Sequence, residues 1–275
     1  MTTPATTRSG VGLRHVQIFA LNSSGYPNAT STTAYEGVQL SGAVSLTLDD
    51  PEPQQIEHRG DDRVFALDQL PPTAAVSGSL TVAKINDTVD AILTDDNSFT
   101  IGEAKFFGMG TDNRGDENQV GLLAFRQTLD TDPTSSTYGA RRWELRILPK
   151  AFLIPGAAGL EQDATESKAY SVYPQFVKYH LWGEAFSTGT EGFEQAQVLR
   201  GISEYKPKIV AWQATDNGQE TLSLPAAYPA QATAKIKVWV NGTVTVPDTL
   251  ATTQISFTTG VLTTSAIVVA FYEYA

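Results

Sequence analysis

Apolar residues along most of this chain recur at every second position in short runs, and clusters of Gly, Pro, Asn, Asp and Ser separate one run from the next. Alternation of period two is the signature of a strand with one face turned to a core. With 22 Gly and 14 Pro distributed as punctuation, long helices have little room, and the expected fold class is mainly β. One segment breaks the pattern. Ile85, Val89, Ile92 and Leu93 recur at helical spacing, Asn86 or Asp87 is placed to cap the N-terminus, and Asp95-Asp96-Asn97 closes the run, which predicts a single short helix packed on a sheet.

The alternation predicts strands over Leu13 to Ala20, Tyr35 to Leu48, Ala75 to Ala83, Phe99 to Phe107, Val120 to Leu129, Arg142 to Leu148 and Tyr170 to Phe186, the last bent at Pro174. Residues 1–9 are Thr-rich and read as a mobile arm. Gln54 to Gln69 carries Glu57, His58, Arg59, Asp61, Asp62 and Arg63 ahead of Val64, Phe65 and Leu67, and is expected to be an exposed polar crossing. Toward the end, short strands are expected at Ile209 to Trp212, Thr221 to Leu224, Ala234 to Val240, Thr243 to Val246, Gln254 to Phe257 and Ala266 to Tyr274. The strongest local signal lies among them: Asn241-Gly242 supplies the two positive φ angles of a type I′ turn between alternating flanks, which predicts a hairpin.

Charge divides the chain. Residues 206–275 hold four Lys against two Asp and two Glu, so the formal net charge of −11 resides in residues 1–205. The expected organisation is a β domain over 1–205 and a small C-terminal β-sandwich, Ig-like, over 206–275, and the neutral second part is expected to be dispensable for assembly. An acidic chain repels phosphates at long range, which argues against binding of nucleic acid or of anionic membranes. The N-terminus lacks the basic start and apolar run of a secretory leader, and no apolar stretch is long enough for a membrane anchor, so neither is expected.

Catalytic chemistry finds little support in the residues. The chain has no Cys, which removes disulfides, thiolate metal sites and thiol nucleophiles. His15, His58 and His180 are dispersed without metal-type spacing, and no Gly-x-Ser-x-Gly elbow is present. The acid pairs Asp49-Asp50, Asp61-Asp62 and Asp95-Asp96 sit in turns, where adjacent side chains do not form a catalytic dyad. Asp112-Asn-Arg-Gly-Asp-Glu lacks the ordered spacing and closing Glu of a calcium loop. The expectation is a protein that is not an enzyme and has no cofactor and no metal. Arg141, Arg142 and Trp143 form the one basic-aromatic cluster, read as an inter-subunit contact that pairs with a neighbour's carboxylates. Trp182, Trp212 and Trp239 could line a sugar-binding face, against which stands the commoner burial of Trp at strand positions.

Three segments carry a resemblance: Tyr35-Glu-Gly-Val-Gln-Leu-Ser-Gly-Ala, then His58-Arg-Gly-Asp-Asp-Arg-Val-Phe-Ala-Leu-Asp-Gln-Leu-Pro-Pro, then the strand at Gly78 leading into Asn86-Asp-Thr-Val-Asp-Ala. Together they resemble the tail-tube, or major tail, proteins of long-tailed bacteriophages. By order of elements the likeness spans residues 10–205, and its literal motifs lie within 35–95. It implies a sandwich or barrel of strands with a flanking helix, whose copies form stacked hexameric rings around a DNA channel.

The resemblance further implies a structural virion protein of the phage tail, assembled in the host cytoplasm. Its partners would be itself, other tail proteins, and DNA that passes without specific binding. Loops and arms bridge rings in such tubes, so residues 1–9 and Asp49 to Gln69, with Glu57, His58, Arg59, Asp61, Asp62 and Arg63, become the expected stacking contacts. The C-terminal part resembles a decorating domain outside the tube. The alternative is a receptor-binding or carbohydrate-binding phage module with aromatic residues exposed on one face.

Overall fold

A computed structural model describes residues 8–40, 43–49, 54–60, 63–70, 76–83, 87–94, 98–101, 104–107, 119–131, 133–134, 138–156, 167–215, 220–258 and 260–274. The fold is mainly β, with several antiparallel sheets and, among the described residues, a single short α-helix. The expected arm over residues 1–9 is in strand from Arg8 onward, and residues 1–7 lie outside the described residues.

The largest sheet has eight strands. β1 (Arg8–Ala20), β2 (Val38–Leu40), β3 (Ala43–Asp49) and, beyond a separate hairpin of β4 (Gln54–Gly60) and β5 (Arg63–Leu70), β6 (Ser77–Val82) come from the first part of the chain. Helix α1 (Asp87–Thr94) and a second hairpin, β7 (Ser98–Ile101) with β8 (Ala104–Phe107), follow. The sheet then takes β9 (Gln119–Asp130), β10 (Arg141–Pro155), β11 (Lys168–Pro174) and β12 (Leu199–Ser203). Its order is β2-β1-β9-β10-β11-β6-β3, with β12 also paired to β10.

β10 serves three neighbours because it is interrupted. Pro149 has no N–H to give the ladder, and the register shifts between Leu148 and Ala151. Before the shift Trp143 to Ile147 pair with β12, and after it Ala151 to Pro155 pair with β11. The sheet curls so that its end strand β3 comes against β1. Within the curl lies a core of Val16, Ile18, Leu80, Leu122, Leu148 and Tyr170, onto which α1 docks with Val89 and Leu93. Asp90 secures the helix by accepting from the Tyr170 hydroxyl at 2.9 Å and pairing with Lys168.

Three expected strands resolve differently, the first being Tyr35 to Leu48, which divides into β2 paired with β1 and β3 paired with β6. Phe99 to Phe107 is a hairpin, because β7 and β8 pair antiparallel, with Ser98 opposite Phe107 and Ile101 opposite Ala104. The strand expected from Tyr170 to Phe186 ends at Pro174, and residues 175–198 run as irregular chain with isolated bridges at Val177 to Ala196 and Tyr179 to Ala185. Gln54 to Gln69, expected as an exposed polar crossing, forms the paired strands of the β4–β5 hairpin.

From residue 206 the chain builds two further sheets. One has the order β13-β19-β15-β16 from β13 (Lys206–Gln213), β15 (Ile236–Val240), β16 (Thr243–Val244) and β19 (Ile267–Tyr274). The other has the order β14-β18-β17 from β14 (Glu220–Ser223), β17 (Thr249–Leu250) and β18 (Gln254–Phe257). Val210, Trp212, Leu222, Val238, Phe257 and Tyr272 form a core that both sheets share. Asn241 and Gly242 have φ of 47° and 80°, the left-handed pair that joins β15 to β16 through a two-residue turn, as the Asn-Gly dipeptide requires.

Candidate functional site

β13 and β19 are buried on both faces, because the four-stranded sheet has a second interface behind it. Ile209, Ala211, Ile267 and Val269 pack against Phe19, Leu123, Phe125, Leu145 and Ile147 of the eight-stranded sheet. The two parts of the chain are therefore joined by a continuous apolar layer. At its margin Trp182 stacks on Trp239 with ring centroids 5.0 Å apart. Both indole N–H groups donate to Glu184 Oε2, at 3.1 Å from Trp182 and 2.8 Å from Trp239, which ties the 175–198 segment to the C-terminal hairpin. Close approach matters here too, since a Cβ on Gly242 would stand 2.4 Å from the Gly183 carbonyl oxygen.

A buried polar cluster lies beside this layer. Lys208 of β13 is 2% exposed, and its ammonium sits 2.6 Å from Glu36 Oε2 and 3.8 Å from the centre of the Tyr228 ring. Burial holds the Lys208 pKa below its ordinary value, with Glu36 opposing the shift. Gln17, fully buried on β1, donates from Nε2 to the carbonyls of Glu36 and Ile209, bridging the two parts of the chain. His15 stacks on Phe125 at 4.9 Å. Burial first, and the Lys208 charge second, lower its pKa to about 4.

The sign of that shift gives a prediction. Between about pH 6.5 and about pH 4 the unfolded chain takes up a proton that folded His15 resists, so stability falls as pH falls through this window and levels below it. The linked loss is at most about 3 kcal/mol. His15→Phe keeps a ring against Phe125 and is expected to flatten this part of the stability profile measured by urea unfolding. An unchanged slope in the variant would remove His15 from the account.

The residues read from sequence as contact candidates separate into two places. Glu57, His58, Arg59 and Arg63 belong to the β4–β5 hairpin, where Glu57 pairs with Leu67, His58 with Ala66, and Gly60 with Arg63. Asp61 and Asp62 fall between the last pair and lie outside the described residues. Among the described residues, β4 and β5 lie chiefly beside each other. Arg141, Arg142 and Trp143 begin β10 on the eight-stranded sheet, paired with Leu129, Thr128 and Gln127. Arg141 is exposed, whereas Trp143 is half-buried and engaged within the chain, edge-on to Phe125 at 5.5 Å with the Lys206 ammonium 5.9 Å from its ring centre.

A cavity lined by charged side chains lies outside the residues read from sequence as candidates. Arg126, Glu144 and Arg146 occupy one face of β9 and β10, spaced two residues apart along β10 and paired across the strands as Arg126 with Glu144. The i, i+2 pattern Glu144, Arg146 was available as a signal, but the strand partner that completes it was not. No family model matches this chain, and no curated protein matches it.

Proposed function

We propose that this chain is a structural subunit that works by assembling with copies of itself, as a tail-tube protein of a long-tailed bacteriophage. The observation that carries the reading is the β4–β5 hairpin, whose hydrogen-bonded ladder, among the described residues, is formed only between its own two strands and is joined to none of the larger sheets. A lone two-stranded hairpin is marginal in water, so its place is against another molecule.

In this reading the curled sheet with α1 is the ring-forming sandwich or barrel, the hairpin bridges successive rings, and the two sheets from residue 206 onward form a small sandwich on the tube. The partners are further copies, other tail proteins, and DNA that the acidic chain lets pass without specific binding. The site is the virion. The sugar-binding alternative calls for exposed indoles, and it gains nothing from Trp212 and Trp239, which are 0% and 3% exposed.

Negative-stain electron microscopy of the purified chain, with mass from light scattering, tests the proposal. Rings or hollow tubes with sixfold end views are expected, and compact monomers or trimers at every concentration would overturn it. A second prediction isolates the hairpin. Replacing residues 54–70 with a short Gly-Ser link is expected to leave the circular dichroism spectrum and Tm nearly unchanged while abolishing stacking of rings into tubes. A fall in Tm as large as that of a core mutation would instead make the hairpin part of the monomer's own packing.

A further inference from the structure

Where the end strand β3 approaches β1, a cavity of about 260 Å³ opens over β9 and β10. Leu13, Leu46 and Phe125 contribute apolar wall, and Arg126, Glu144 and Arg146 contribute the charge. Glu144 lies between the two guanidinium groups. Arg126 donates from Nε and Nη2 to Oε2, each at 2.7 Å, and Arg146 reaches Oε1 from Nη2 at 2.5 Å. Two cations thus share one carboxylate. Across β10, Arg200 of β12 stands directly opposite Arg146 in register and adds to the positive field.

Arg146 records the imbalance. Burial lowers its pKa most, Glu144 opposes this, and the charges of Arg200 and Arg126 lower it further. On a chain of formal net charge −11, a locally cationic cavity stands apart from its surroundings. A guanidinium group presents a planar fork of N–H donors suited to two oxygens at once, and Glu144 engages only part of either fork. The apolar wall weakens competition from water for whatever binds there.

We propose that this cavity is an oxyanion site, which takes a phosphate or carboxylate group on the remaining guanidinium donors of Arg126 and Arg146. Ser45 lines the same cavity and adds a hydroxyl suited to such a ligand. The inference holds whether or not the chain forms rings, because it rests on the geometry of one subunit.

The test uses the full chain with inorganic phosphate as probe, against chloride at matched ionic strength, by titration calorimetry and thermal unfolding. Phosphate is expected to bind and to raise Tm. Arg126→Gln alters a side chain that is 48% exposed, so folding should survive, and it is expected to weaken phosphate binding roughly tenfold to a hundredfold. Glu144→Gln removes the resident negative charge and is expected to tighten binding, a gain that a purely structural role for Glu144 would not produce. Phosphate effects that are absent in the wild type, or equal in the wild type and Arg126→Gln, would overturn the proposal. Light scattering separates the sources of the natural ligand. If it is a carboxylate of a second copy, phosphate lowers the mass of assemblies through Arg126, and if it is a free ion, phosphate binds with the mass unchanged.

Discussion

Deleting residues 206–275 is expected to abolish cooperative folding of what remains. The deletion strips Ile209, Ala211, Ile267 and Val269 from the face of Phe19, Leu123, Phe125, Leu145 and Ile147, and leaves Glu184 without the Trp239 indole. Each large apolar side chain returned to water costs about 1.5–3 kcal/mol, so five of them approach the whole stability of an ordinary domain, about 5–15 kcal/mol. Loss of a sharp thermal transition, binding of a hydrophobic dye and aggregation are the expected results. A truncated chain that unfolds cooperatively and assembles like the full one would sink the prediction. The neutral charge of this part suggested a dispensable attachment, and the shared apolar layer reverses that expectation.

The second large effect concerns one ion pair. Glu36→Ala is expected to destabilise the protein by about 3–5 kcal/mol, because it strands a buried ammonium without its counter-charge. Lys208→Met should be far milder. Glu36 is 30% exposed and can recover water, whereas Lys208 at 2% cannot. The double variant, with neither charge buried, should regain most of what Glu36→Ala loses. Urea unfolding of the four proteins forms a double-mutant cycle, and equal losses in the two single variants would contradict the asymmetry argued from burial. Stability of Glu36→Ala should also improve at high pH, since burial already holds the Lys208 pKa low and removal of Glu36 takes away the influence that raises it. The sign follows because the folded state then sheds a proton that the unfolded lysine still keeps.

Much of the β architecture was legible because it depends on near neighbours. Val89 and Leu93 share a helical face by spacing alone, and both are buried under the curled sheet. The candidate contacts were less accessible. Glu57 to Arg63 read as a polar crossing, since His58 pairs with Ala66 only once the hairpin has closed, and the mixed charges obscured the alternation. At Pro174 the reverse error arose. Aromatic residues beyond it resembled more strand, but they belong to irregular chain in which His180 stacks on Trp182 and meets Phe186 edge-on.

Sequence alone determined the elements whose cause is local: the Asn241-Gly242 hairpin, because only certain residues tolerate paired positive φ, the single helix, because its apolar spacing repeats within two turns, and the predominance of strands, because alternation and turn residues recur along the chain. Tertiary structure decided what depends on distant residues meeting. Ile209, Val210, Ala211 and Trp212 form an unbroken apolar run whose faces could not be told apart until two different sheets covered them. Lys208 reads as an ordinary surface lysine until Glu36 and Tyr228 enclose it, and the guanidinium pair of Arg126 and Arg146 exists only because β9 and β10 align in one register. Burial and electrostatic coupling act through space, so residues far apart in the chain acquire these properties only when folding makes them neighbours.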